Sequence, residues 1–225
     1  MPQAPQRISP IHHLLDAYQA QWSHIGDAPI ALRLAAAETE RRAMIDAVGL
    51  CDLSALSKLG VKGAGVQRWL HDRNVDVPDA IYASRQLADG GVIARVAGDE
   101  FVLESGINNE TVPALTVQLQ SGQAEVARVE WQETTFLLIG PRARDVLAQT
   151  CGINFRDVAA RQLIFTRVAG VSCAVLPDPV GDIWACRFWI EPSYAVYLWE
   201  TLVEICEGLE GSPIGAGCIF PELLP

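Results

Sequence analysis

Two stretches of this chain repeat one plan, and that repeat limits the fold more than any other feature. "LSKLGVKGAGVQRWLHDRNVDV" and "TTFLLIGPRARDVLAQTCGINF" each read as an apolar strand, a glycine, a small residue or proline, and a helix closing on an apolar pair. Gly63 aligns with Gly140, and Trp69-Leu70 with Val146-Leu147. A third strand–helix module is "ACRFWIEPSYAVYLWETLVEICEG", whose strand ends near Ile190, with Pro192 at the helix start and Gly208 at its stop. A fourth is "DEFVLESGINNETVPALTVQLQ". The segment "QLADGGVIARVAGDEFVLE" adds a hairpin, with Asp89-Gly90-Gly91 as its turn signal. Strand–helix modules mixed with hairpins predict an α+β fold, with antiparallel sheets covered by helices on one face.

The remaining segments fit the same class. Ser9-Pro10 opens a helical pattern carried by Ile11, Leu14, Leu15 and Tyr18, while the first residues read as a frayed tail. "APIALRLA" alternates weakly and predicts a strand. Glu38 to Val48 reads as a helix with a charged surface, ended by Gly49. Leu50, Leu53, Leu56, Leu59 and Val61 predict strand segments interrupted at Ser54 to Ser57.

The glycine-rich turn at Gly63-Ala64-Gly65 invites a phosphate reading. It lacks the G-x-x-x-x-G-K-[ST] spacing of a P-loop and the third glycine of G-x-G-x-x-G. Its counterpart in the repeat, Gly140-Pro141, has no amide donor at the proline. A phosphate site at a helix start needs those N–H groups, so a strand-to-helix joint is the better reading.

Charge narrows the function classes. With 17 basic and 27 acidic side chains the chain carries a formal charge of −10. Such a surface repels phosphate backbones and anionic membranes, which argues against nucleic-acid and membrane partners. No apolar run reaches the ~18 residues of a membrane span, and "MPQAPQRISP" has no signal-peptide core. The six cysteines form no C-x-x-C pair and most lie in apolar runs, which predicts buried thiols in a reducing, cytoplasmic setting. Four histidines without ligand spacing give no metal site; His12 and His13 are adjacent and point apart on a helix. No G-x-S-x-G is present to anchor a hydrolase triad.

Several segments in chain order resemble the aminomethyltransferase family, the T-protein of the glycine cleavage system. "VGLCDLSALSKLGVKGAGVQRWL" is similar to the family's V-G-L-F-D-V-S-H-M-G-K stretch. "SPIHHLLDAY", "ADGGVIARVAGDEFVLESGINN", "FLLIGPRARDVL" and "SPIGAGCIFPELLP" resemble its opening run, its G-G-I-x-D-D hairpin, its Q-G-P-x-A segment and its P-I-G-L-G-A-R-D segment. The resemblance implies a folate-binding fold over residues 1–225, built of two intertwined lobes at about 1–120 and 121–225 around a channel. It implies tetrahydrofolate as cofactor. Full-length relatives continue into a C-terminal barrel domain, which this chain is expected to lack. In size it resembles the gamma-type small subunit of multi-subunit sarcosine oxidases, which implies flavoprotein oxidoreductase subunits, or further copies of itself, as partners.

The departures bear on chemistry. Where the family has the acids of G-G-I-x-D-D, this chain has Ala94 and Arg95. One-carbon transfer needs a carboxylate there to handle a proton and stabilise a cationic intermediate, and neither residue supplies one. The glutamate that resembling proteins use to hold the pterin ring meets Ala185 or Cys186, with Asp182 out of register. The arginine of G-A-R-D meets Gly215-Ala216-Gly217-Cys218, and the histidine after the Asp-x-Ser step is Ala55.

No catalytic residue is therefore assigned. The pocket candidates are Asp52, Ser54, Lys58, Asn108 and the aromatic Trp184. Each also has a local explanation. Asp52 and Ser54 can cap the strand break, Lys58 can be a solvated strand lysine, Asn108 a helix N-cap, and Trp184 core or interface packing. Two functions follow from these residues. One is a catalytically degenerate scaffold or folate-pocket protein, a small subunit of an N-methyl-amine oxidising complex. The other is an active tetrahydrofolate-dependent transferase with Asp89 or Asp99 as substitute acid.

Overall fold

The segments 134–139 and 185–190, buried along their whole length, form the two central strands of the larger sheet, and the rest of the first compact unit is built around them. The computed structural model describes residues 8–120, 122 and 125–224. Most of the expected N-terminal tail lies outside them, and Ser9 is already buried, its Oγ accepting the Ile11 N–H at 3.4 Å. Contacts divide the chain into two units that are discontinuous in sequence, 1–55 with 133–160 and 164–225, and 56–132 with 161–163. That division departs from lobes at 1–120 and 121–225. The chain leaves the first unit at the Ser54–Ser57 break and returns after residue 132.

In chain order the strands are β1 (Gln21–Ile25), β2 (Ala28–Arg33), β3 (Gly49–Asp52), β4 (Lys58–Lys62), β5 (Ser84–Gln86), β6 (Val92–Ala97), β7 (Glu100–Glu104), β8 (Ala127–Val129), β9 (Thr134–Ile139), β10 (Ile164–Val168), β11 (Val171–Pro177), β12 (Ala185–Ile190) and β13 (Ser212–Pro213). The helices are α1 (His12–Ala17), α2 (Ala37–Asp46), α3 (Val66–His71), α4 (Thr111–Gln120), α5 (Ala143–Thr150), α6 (Ala195–Gly208) and α7 (Ala216–Ile219).

In the first unit a six-stranded sheet runs β10-β11-β12-β9-β3-β13, antiparallel throughout except for the parallel β13–β3 pair. Period-2 alternation puts Phe136 and Leu138 of β9 on one face with Cys186, Phe188 and Ile190 of β12. That face packs against Val146 and Leu147 of α5 and Leu198, Trp199 and Leu202 of α6. Trp199 meets Phe136 edge-on, with ring centroids 5.1 Å apart. Each such side chain, fully buried, contributes about 1.5–3 kcal/mol. β1 and β2 form a separate two-stranded ribbon.

In the second unit the order is β5-β6-β7-β4-β8, all antiparallel. Leu59, Val61, Ile93, Phe101 and Leu103 form its core with Trp69 and Leu70 of α3 and Leu115 of α4.

The repeat holds at the level of backbone angles. Gly63 has φ +130° and Gly140 φ +129°. Their carbonyls accept the N–H of Val66 at 3.0 Å and of Ala143 at 3.1 Å, the residues that open α3 and α5. The paired residues Trp69, Leu70, Val146 and Leu147 are all buried. A side chain at either glycine would collide with a backbone carbonyl, that of Glu125 or of Ala47, so each position needs glycine on both counts.

α2 differs from expectation. It ends at Asp46, and Gly49 sits inside β3 opposite Ile139, where a Cβ would meet Ile214. Gly49 permits close packing rather than stopping the helix. One of the charges on α2 is not at the surface: Glu40 is fully buried.

Candidate functional site

The glycine-rich turn at Gly63-Ala64-Gly65 points both glycine amides into the fold. The N–H of Gly63 donates to the Asp99 carbonyl at 2.9 Å and that of Gly65 to the Glu125 carbonyl at 3.2 Å. Both amides are spent within the fold.

Asp52 and Ser54 come together in the first unit. β3 ends at Asp52, whose Oδ1 accepts the Ser54 N–H at 3.0 Å and the Ser54 hydroxyl. The Ser54 Oγ in turn accepts the Thr135 N–H at 3.2 Å, tying the strand break to β9. Both side chains are buried. Trp184 lies in the same unit, just before β12. It is half-buried against the core, with the Arg144 guanidinium carbon 4.5 Å from its ring centroid, a cation–π contact.

Lys58 and Asn108 belong to the second unit. Lys58 is no solvated strand lysine. Its side chain is 1% exposed, and Nζ lies 3.1 Å from Oε2 of Glu104, itself 0% exposed. The ammonium also donates to the Leu56 carbonyl at 3.0 Å. Lys58 and Glu104 face each other across the β4–β7 register, which is why a charge on each can be buried.

Asn108 is exposed and does not cap α4, which begins three residues later. The cap comes from the hairpin turn. Oδ2 of Asp89 accepts the N–H of Thr111 at 2.9 Å and of Glu110 at 3.3 Å. Its Oδ1 accepts those of Gly91 at 3.0 Å and Gly106 at 3.2 Å. Ser105 Oγ accepts the Val112 N–H at 3.0 Å and completes the helix start. Burial pushes the Asp89 pKa up, but the Thr111, Gly91 and Gly106 hydrogen bonds outweigh it, so the carboxyl ends below its usual value. A buried carboxylate held ionised by four backbone donors is poorly placed to give or take a proton.

The positions that depart from the T-protein pattern are filled structurally. Ala94 is completely buried in β6. Arg95 turns its guanidinium to the carbonyls of Asp79 at 2.6 Å, Ala97 at 3.2 Å and Gly98. Ala185 and Cys186 are core residues of β12. Asp99 is exposed in the turn between β6 and β7, and Asp182 is exposed as well.

Glu40 is the residue that sequence reading missed. Its Oε1 accepts the N–H of Leu34 at 2.6 Å, Ala35 at 3.2 Å and Gly215 at 3.0 Å, and its Oε2 lies 3.4 Å from Arg33 Nη1. One buried carboxylate thus joins α2, the end of β2 and the loop entering α7. The signal was the spacing Glu40, Ala43, Ala47, one helical face with two small buried residues.

All six cysteines are free thiols. Burial pushes Cys173 and Cys206 up to about 12 and Cys218 to about 11, and raises Cys51 and Cys186 as well. These five are not poised as nucleophiles. Among the described residues, no group of three His, Cys, Asp or Glu side chains could hold a metal ion. No helix there is long and apolar enough to cross a membrane.

The family model described as the GCVT N-terminal domain matches residues 11–220. This chain belongs to the GCVT N-terminal domain family. The aminomethyltransferase resemblance read from the sequence is therefore correct. This GCVT domain is similar in structure to the glycine cleavage system aminomethyltransferase T from Bartonella henselae, with a TM-score of 0.74 and 16% identity over 95% of this chain and 61% of that one. It is also similar to a chain of the heterotetrameric sarcosine oxidase from Corynebacterium sp. U-96, with a TM-score of 0.66 and 21% identity over 92% of this chain and 97% of that one. At such identities these likenesses show the fold alone, and that fold is the expected α+β one. In sequence the GCVT domain is 23% identical over 240 residues to sarcosine oxidase subunit alpha from Corynebacterium sp. (strain P-1), covering 94% of this chain and 25% of that subunit. It spans about a quarter of the length of that relative.

Proposed function

We propose that this chain is a catalytically degenerate GCVT domain that serves as a scaffold, a small subunit of a cytoplasmic complex that oxidises an N-methyl amine. The observation that carries the degenerate reading is the commitment of Asp89. This carboxylate, one of the two substitutes offered for the missing family acid, spends both oxygens on backbone N–H groups, while Ala94 fills the acid's place. Two relatives named as sarcosine oxidase, one as its subunit alpha and one as a heterotetramer, support the subunit role.

For one-carbon chemistry on tetrahydrofolate the residues present are a poor fit. Lys58 is neutralised by Glu104, and Asp52 and Ser54 serve a local turn. No transfer step runs through them. On this reading Asp52, Ser54 and Trp184 in the first unit and Lys58 in the second are retained for packing within their own units, and Asn108 lies exposed.

Two measurements test the proposal. Purification from the native source under mild conditions is expected to yield the chain with flavin-containing subunits; recovery as a lone monomer overturns the subunit role. Incubation of the isolated chain with tetrahydrofolate and an aminomethyl donor is expected to give no turnover. Turnover lost in Asp89→Asn with folding intact would establish the active transferase instead.

A further inference from the structure

Between α1 and α6 in the first unit lies a groove of about 430 Å³, lined by Leu14, Ala17, Tyr18, Trp199 and Val203 and edged by Glu200, Glu204 and Glu207. The floor is apolar. Tyr18 is 39% exposed although its phenol sits beside Glu207, where burial and that carboxylate raise its pKa.

The rim is electrostatically unfavourable as it stands. Glu200, Glu204 and Glu207 occupy i, i+4 and i+7 on one face of α6, spanning about 10 Å at 1.5 Å per residue. All three are exposed, and α6 itself contains no basic residue. Like charges four apart repel, and carboxylates in the C-terminal half of a helix oppose its dipole. Among the described residues no Lys or Arg forms an ion pair with any of them. A row of three carboxylates with no cationic partner among the described residues, above an apolar floor, complements a segment with the opposite pattern. A second copy of this chain is a poor occupant, since it carries a charge of −10.

We infer that the α1–α6 groove docks a basic amphipathic segment of a partner protein, which seats apolar side chains on Val203 and Leu14 and sets Lys or Arg against Glu200, Glu204 and Glu207. The inference deepens the subunit reading, on which it rests for the existence of a partner.

A peptide titration of the intact chain tests the groove separately from any native partner. The probe is an amphipathic leucine–lysine peptide of about five helical turns, compared with the same peptide carrying glutamate for lysine. The expected result is saturable, salt-sensitive binding of the lysine peptide only. The Glu200→Gln/Glu204→Gln/Glu207→Gln variant should lose about tenfold in affinity. A charge-matched control, Glu38→Gln/Asp46→Asn/Glu222→Gln, should lose less than about twofold. Val203→Asp separates docking from charge attraction: it adds a negative charge yet should weaken binding by fouling the floor, with Val203→Ala as the milder check on folding. Equal losses in the two triple variants, or tighter binding by Val203→Asp, would overturn the groove. Absence of flavin-containing subunits in the native purification would instead count against the subunit reading and leave the peptide result to decide the groove.

Discussion

Asp89 and Thr111 are joined by a 2.9 Å bond from the Thr111 N–H to the Asp89 carboxylate, which fastens the β5–β6 hairpin turn to the first residue of α4. Three further backbone donors converge on the same carboxylate. One of the two residues offered by the sequence, Asp89 or Asp99, to stand in for a lost catalytic acid is thereby a structural cap.

Replacing Asp89 by Asn leaves one acceptor oxygen and turns the other into a donor that faces backbone N–H groups. Asp89→Asn should lower stability by about 2–3 kcal/mol. Urea denaturation of the two proteins measures this, with an unchanged m-value marking an intact fold.

The same carboxylate gives a signed pH dependence. Its folded pKa is lowered, so its contribution is fully present above the unfolded carboxyl value of about 3.9 and is lost as pH falls through the folded value. Wild type should therefore lose stability more steeply than Asp89→Asn below about pH 4. Thermal melts between neutral pH and pH 3 check the difference in slope.

Gly63 and Gly140 should fail alike when replaced, because each combines φ near +130° with a backbone carbonyl where the Cβ would go. Gly63→Ala and Gly140→Ala are each expected to cost about 2–4 kcal/mol. Gly90→Ala is the contrast: φ is +82° but the space is open, so about 1 kcal/mol is expected. Equal costs at all three positions would show that strain alone, and not collision, sets the requirement.

Breaking the Lys58–Glu104 pair from one side should cost more than removing it. Lys58→Met or Glu104→Leu alone strands a buried charge and should cost about 3–5 kcal/mol. The double variant should recover most of that loss. A double-mutant cycle by chemical denaturation reads the coupling directly.

Much of the fold was legible because local signals and tertiary packing agree. The Gly63 and Gly140 modules, the Asp89-Gly90-Gly91 turn and α6 of the third module, just after Pro192, all lie where composition and periodicity put them. The candidate site was less legible, because its key bonds link residues far apart in sequence. Glu40 binds Gly215, and Asp89 binds Thr111, across 175 and 22 positions. A charged residue on a nominal surface strand, such as Lys58, reads as solvated until its partner on the neighbouring strand is known. Asn108 looked like a cap because the true cap arrives from another hairpin.

The central claim is that Asp89 is committed as a structural cap and that Ala94 and Arg95 supply no acid for one-carbon transfer, and the rate of tetrahydrofolate-dependent aminomethyl transfer by the purified wild-type chain tests it most directly. The account predicts a rate at the uncatalysed background, the same in Asp89→Asn and Asp99→Asn. A wild-type rate well above background that either substitution abolishes in a folded protein would contradict it.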